Sequence, residues 1–177
     1  MIEGLFMQLQ KRWAQWLLLC VTVLALVGCG FHLRGNVQFP EAYQKAFIES
    51  NEPAYSLDSV AFYIQRALRS QVTFVDNVKE ADMIINVQET YDSRIVSSNT
   101  TGIYRTYTNE LFATIYISDR SGQLIFRPEQ FSKSESFTLD EREPLAKTTA
   151  EEAIKRELAI ELSQDFIRRL GVQMRSR

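Results

Sequence analysis

Tyr104–Ser118, YRTYTNELFATIYIS, alternates over almost its whole length. Tyr107, Leu111, Ala113, Ile115 and Ile117 fall on one side and polar or aromatic residues on the other. A period of two sustained this far is a β-strand with one face turned to a core. Asp119-Arg120-Ser121-Gly122 follows, a turn composition that sends the chain back on itself. The returning stretch QLIFRPEQFSKSESFTL (Gln123–Leu139) reads as another long strand. Pro128 inside it has no N–H to give to a ladder, which places this strand at a sheet edge or a bulge. Upstream, MIINVQETYDSRIV (Met83–Val96) also alternates, with Met83, Ile85, Val87, Glu89 and Tyr91 on one face. SSNTTG (Ser97–Gly102) between the two is a turn composition. Hairpin-linked strands therefore make up the centre of the chain.

Two helices flank this meander. In SLDSVAFYIQRALRS (Ser56–Ser70), Val60, Ile64, Ala67 and Leu68 recur at helical spacing. Ser56 is placed to cap it, and Arg66 and Arg69 suit its C-terminal dipole. The second helix opens at Glu143-Pro144 and runs through Leu170, with Gly171 as its stop and Val172–Arg177 frayed. Ala150, Ile154, Leu158, Leu162, Phe166 and Leu170 form its apolar stripe, widened by Ala153, Ile160 and Ile167. Shorter strands are expected at Tyr43–Glu49, after a step at Phe39-Pro40, and at Val72–Val75. The fold class is α+β: a two-layer sandwich in which two amphipathic helices pack on a mostly antiparallel or mixed sheet of about four strands.

The N-terminus has a different character. Lys11 and Arg12 precede LLLCVTVLALVG (Leu17–Gly28), about a dozen apolar residues where a membrane-spanning helix needs about 20. A positive segment, a short apolar core and small residues at its end read as a secretory signal peptide over 1–28. Translation from Met7 in place of Met1 gives the more ordinary signal. Leu26-Val27-Gly28-Cys29 resembles the bacterial lipobox, in which cleavage before the cysteine follows its modification with diacylglycerol and precedes acylation of its amine. Cys29 is then the lipidated first residue of a single 29–177 domain, with formal charge −3, and several acyl chains hold it at a bilayer. Gly30 behind the cysteine, in place of Asp, favours the outer membrane.

Few chemistries survive this composition. A net charge of −2 over 177 residues gives no electrostatic footprint for nucleic acid. Both cysteines, Cys20 and Cys29, lie at the N-terminus, so the body of the protein has no disulfide framework and no Cys-rich zinc site. The one histidine, His32, sits beside the anchor, which leaves no credible Ser–His–Asp triad. The glycines form no phosphate-binding loop. A paired-carboxylate hydrolase would draw on acids such as Glu89, Asp92 and Glu110, which read more simply as strand-surface charges. No cofactor other than the covalent lipid is expected, and no catalysis. The suggestive feature is cationic and aromatic: Arg94, Arg105, Arg127 and Lys133 share extended segments with Tyr104, Tyr107, Phe112, Tyr116 and Phe131. Such a set can meet phosphates, sugars or acyl chains, or be an ordinary solvated sheet face.

GCGFHLRG (Gly28–Gly35) is similar to the processed N-terminus of the LptE family, lipopolysaccharide-assembly lipoproteins of the Gram-negative outer membrane. More loosely the resemblance covers nearly the whole mature chain, ending in PLAKTTAEEAI…FIRRL (Pro144–Leu170). It implies two helices on a mostly four-stranded sheet, and a one-to-one complex with an LptD-like β-barrel that the protein plugs and helps assemble. It also implies binding of lipopolysaccharide through basic residues. The family's "LAK" lysine falls on Lys147, which read alone is equally a solvated helix charge. A second basic position of the family finds Asn99-Thr100-Thr101 here, with Arg94 or Arg105 as its substitute. The other functions open to this sequence are an unrelated lipid-anchored periplasmic binding module or an envelope hydrolase.

Overall fold

The computed structural model describes Val37 and residues 39–175. The signal peptide, Cys29, Gly30 and His32 lie outside the described residues. Within them the chain runs β1 (Lys45–Ser50), α1 (Val60–Leu68), β2 (Thr73–Phe74), a 3-10 turn (Val78–Glu80), β3 (Met83–Ser98), β4 (Tyr104–Asp119), β5 (Leu124–Asp140) and α2 (Pro144–Arg175). The strands form one mixed sheet in the order β2-β1-β3-β4-β5. β1 is parallel to β2 and β3, whereas β3-β4-β5 is the expected antiparallel meander. The fold is thus the α+β sandwich expected, with five strands where about four were read. β2, two residues long, falls within the short strand expected at Val72–Val75 and pairs only with β1.

The turns follow the local chemistry. Gly102 (φ +71°) and Gly122 (φ +85°) take the left-handed conformation that closes each hairpin at little steric cost. The Asp119 carboxylate accepts from the Ser121 hydroxyl at 2.6 Å and from the backbone N–H groups of Ser121 and Gln123, and these bonds hold its pKa below the usual range. β5 is an edge strand, and its register slips between Glu129 and Phe126, where Pro128 lies. The proline's missing N–H is accommodated by a bulge at the edge, as its chemistry requires.

Both helices lie on one face of the sheet. The apolar row of β4 packs beneath them, with Leu111, Ala113, Ile115 and Ile117 fully buried beside Met83, Ile85 and Val87 of β3. Above them sit Val60, Ile64 and Leu68 of α1 and Ile154, Leu158, Leu162, Phe166 and Leu170 of α2. The four-residue spacing of the α2 stripe is therefore correct. Its widening is carried by Ala159 and Ser163, which are buried, and by Ile167, which is half-buried against the core, while Ala153 is exposed and Ile160 is half-buried.

α2 does not stop at Gly171. The helix continues to Arg175, so Val172–Arg175 is not frayed. Gly171 stays right-handed, with Val37 close enough that an added Cβ would lie 3.7 Å from it. Val37 and Met174 pack into the core, and that burial offsets the ~1 kcal/mol that glycine costs inside a helix.

The cap of α1 is also displaced. Ser59, not Ser56, is the N-cap, its hydroxyl accepting from the Ala61 N–H at 3.2 Å. Ser56 closes the preceding turn, where its carbonyl accepts from the Ser59 N–H at 3.1 Å. Glu89 of β3 explains the shift. It is only 4% exposed, and is not the strand-surface charge expected. One carboxylate oxygen accepts from the Ser59 hydroxyl at 2.9 Å and the other from the Val60 N–H at 3.1 Å. Asn51 clasps the backbone of Glu89 from the other side, donating to its carbonyl and accepting from its N–H, both at 2.8 Å. A strand carboxylate thus caps a helix distant in sequence, which no local pattern announces.

Candidate functional site

The β3-β4-β5 ribbon reaches beyond the part of the sheet that β1 and α1 cover. β1 pairs with β3 only as far as Val87, and the remaining residues of β3 are mostly exposed. On the helix side of this distal half lies the first third of α2. Here the structure brings together two of the three candidate basic residues.

Tyr107 of β4 is the centre. It is 3% exposed and stacks on Phe137 of β5, ring centroids 5.4 Å apart. Lys147 lies over the Tyr107 ring, with Nζ 4.5 Å from the ring centroid, and 3.9 Å from the Glu151 carboxylate one helical turn on. The Tyr107 hydroxyl donates to Glu141 at 2.5 Å. The other oxygen of Glu141 pairs with Arg105 at 3.5 Å. Lys147 and Arg105, far apart in sequence, therefore bracket one aromatic ring and one carboxylate. Both cations remain partly exposed, and both ion pairs are long enough to be exchanged for a phosphate without a large loss. A guanidinium and an ammonium beside an aromatic face can hold a phosphate while the ring meets apolar or sugar C–H groups.

Arg94 belongs to the opposite face. It pairs with Glu110 at 3.3 Å and with Asp92 at 3.7 Å, on the side of the sheet that no helix covers. Asp92 and Glu110 face each other across β3 and β4, and the arginine bridges them. This open face is otherwise hydroxyl-rich: Thr106 bonds Thr138 at 3.0 Å and Thr108 bonds Ser136 at 2.7 Å across β4 and β5. The cationic and aromatic set read from the strands thus divides between two faces. Lys133 and Phe131 belong to neither patch. Lys133 pairs with Glu161 and Asp165 of α2, and Phe131 packs against Phe166.

Tyr107 stands in the sequence both in the apolar row and among the candidate aromatics, but nothing local marks it as the link between Lys147 and Arg105. The sequence reading missed Tyr91, whose hydroxyl donates to Asn109 at 2.9 Å under α2 and whose pKa is pushed up to about 12 by burial, with the Glu151 charge adding to it. At the end of β5, the Arg142 guanidinium beside Asp140 lowers that carboxyl to about 2. This pair fixes the turn from β5 into α2 that carries Lys147. Among the described residues there is no cluster of three or more metal-ligating side chains, and no helix is long and apolar enough to cross a membrane.

Comparison with known proteins agrees with this architecture. The profile of the LptE family, described as lipopolysaccharide-assembly, matches residues 43–170. The chain is 30% identical over 159 residues to the LPS-assembly lipoprotein LptE of Yersinia pestis (strain Pestoides F), covering 87% of this chain and 73% of that one. The solution structure of lipoprotein B from Nitrosomonas europaea superposes with a TM-score of 0.59 at 18% identity, covering 81% of this chain and 91% of that one. A minor lipoprotein from Acinetobacter baumannii superposes with a TM-score of 0.54 at 19% identity, covering 73% and 94%. These two structures share the fold.

Proposed function

Because this chain belongs to the LptE family of lipopolysaccharide-assembly lipoproteins, we propose that it is anchored to the outer membrane through a lipidated Cys29 and plugs an LptD-like β-barrel. In this reading the 1–28 segment is removed, 29–177 is the working domain, and it binds lipopolysaccharide bound for the outer leaflet. The family is one of assembly proteins, and the chain is not an enzyme. The observation that supports the reading most is the convergence of Lys147 and Arg105 on Tyr107 and Glu141 at the distal end of the ribbon.

Lipid A carries phosphates on a sugar backbone, and the two cations with an aromatic face match that chemistry. Arg94, on the other face of the sheet, does not reach phosphates held by Lys147 and Arg105 and takes no part in this site. The distal part of the open face suits a barrel lumen, which is polar and wet, because it carries cross-strand hydroxyl pairs and the Arg94–Glu110 pair. A lipid tether keeps the domain at the membrane, raising its effective concentration beside the barrel.

The test is purification of the lipidated protein from its native envelope. It is expected to bring down a β-barrel protein of much greater mass in one-to-one ratio, and mass spectrometry should find diacylglycerol and an N-acyl chain on Cys29. Recovery of the protein alone, with surface lipopolysaccharide unchanged when the protein is depleted, would contradict the proposal.

A further inference from the structure

Asn109 lies fully buried in the middle of β4, and its amide is only half used. Oδ1 accepts from the Tyr91 hydroxyl at 2.9 Å, whereas Nδ2 has no partner. A buried N–H without an acceptor costs free energy that a hydrocarbon side chain of the same size would not. Further along the same row β4 does use hydrocarbon, at Leu111, Ala113, Ile115 and Ile117. The exception falls where the packing of α2 changes.

On one side of Asn109, α2 is seated by Ile154, Leu158, Leu162, Phe166 and Leu170. On the other, none of residues 145–153 is buried, and Leu145 is 83% exposed. The contacts that hold this stretch down are polar. Lys147 Nζ sits over the Tyr107 ring, the Ser93 hydroxyl donates to Glu151 at 2.8 Å, and the Tyr91 hydroxyl approaches the Glu151 carbonyl at 3.5 Å. Thr148 and Thr149 also lower the helix propensity of this segment. Lifting it unseats no buried residue of α2 and uncovers the Tyr107 ring face next to the unpaired amide.

An aromatic face, a free amide donor and two cations at the rim are the groups that receive a phosphorylated sugar. The ring takes the sugar's C–H face, the amide takes a hydroxyl or carbonyl oxygen, and the cations take phosphate. The geometry points to a covered subsite for the phosphorylated sugar of a glycolipid, floored by Tyr107 and Asn109 and opened when residues 145–153 lift and Lys147 passes from the Tyr107 ring to the phosphate. This rests on the lipopolysaccharide reading and specifies how the headgroup is held. The cation over the ring keeps the face covered in the free protein, and the ligand supplies the acceptor that Asn109 lacks.

Asn109→Leu keeps the number and branching of the side-chain heavy atoms and makes the floor apolar, while Tyr91 retains the Glu151 carbonyl as a partner at 3.5 Å. The lipidated protein in detergent is titrated with lipid A and, separately, with its deacylated disaccharide bisphosphate. The variant is expected to melt higher than the parent and to bind both probes about tenfold or more weakly. Asn109→Val, smaller and strand-favouring, carries the same expectation should the leucine variant not fold. Unchanged affinity for both probes, the result if Nδ2 serves only a buried water, overturns the subsite. So does weakened binding of the acylated probe alone, or affinity lost only together with the fold in both variants. A parent protein that binds neither probe removes the lipopolysaccharide reading itself, whereas a parent that binds and variants that bind equally well remove only the subsite.

Discussion

Replacing Phe166 with alanine is expected to destabilise the domain by about 3–5 kcal/mol, read as a fall in the midpoint of urea unfolding with the slope unchanged. Phe166 is fully buried on α2. Its ring meets Phe126 edge-on at 5.4 Å and Phe131 edge-on at 5.9 Å, both from β5. The three rings fasten the helix to the edge strand, which has no second strand neighbour to hold it. Alanine removes the transfer free energy of the ring, leaves a cavity between two rigid aromatics, and forfeits both edge-to-face contacts. Phe166→Leu keeps most of the volume and should cost only about 1–2 kcal/mol. A loss below about 1 kcal/mol for the alanine variant would mean that α2 is not seated on β5 as described.

Glu89→Ala is expected to cost about 2–3 kcal/mol, through a different mechanism. The carboxylate is the acceptor for the Ser59 hydroxyl and the Val60 N–H inside a nearly closed site, and alanine leaves both donors without it. The same residue makes stability depend on pH. Burial pushes the Glu89 carboxyl up from its ordinary 4.5, against the lowering by the Val60 N–H, the Ser59 hydroxyl and the Lys155 charge. The folded chain therefore holds this proton more tightly than the unfolded chain. The contribution of Glu89 to stability is most favourable below about pH 4.5 and declines as pH rises through the folded value. Glu89→Gln keeps an acceptor for the Val60 N–H and removes the titration. Its unfolding free energy should lack this decline, as measured by urea titrations between pH 4 and 8. An identical pH slope in parent and glutamine variant would show that Glu89 is not the group responsible.

The sequence was most informative where one side of an element meets the core and the other meets water. Leu111, Ala113, Ile115 and Ile117 repeat every second residue, and Ile154, Leu158, Leu162 and Phe166 every fourth, so strand and helix are visible without structure. Pro128 likewise announced the edge and its bulge, because a missing N–H cannot be hidden in a central strand. Contacts between distant segments leave no such trace. Nothing near Ser59 in the chain indicates that Glu89 will complete its cap, and local capping rules accordingly favour Ser56. Gly171 fits every local rule for a helix stop, yet Val37 and Met174 bury themselves against its continuation. The candidate site behaves in the same way. Lys147 comes from the family resemblance and Arg105 from the cationic and aromatic strand set, but their convergence on Tyr107 and Glu141 depends on how α2 crosses the ribbon. Arg94 has the opposite parity to the core row Met83–Tyr91, so alternation alone turns it to the far face, and only its pairing with Glu110 across the strands needed the structure.

That division between faces gives the most direct test of the central claim, that lipopolysaccharide is bound at the Lys147–Tyr107–Arg105 end of the helix-covered face. The measurement is lipopolysaccharide binding by the parent, by Lys147→Ala combined with Arg105→Ala, and by Arg94→Ala, each first verified to be folded. The double variant is expected to lose about tenfold or more in affinity, as removal of two charge-assisted phosphate contacts should, while Arg94→Ala binds as the parent does. Parent-like binding by the double variant, or a loss confined to Arg94→Ala, would contradict it.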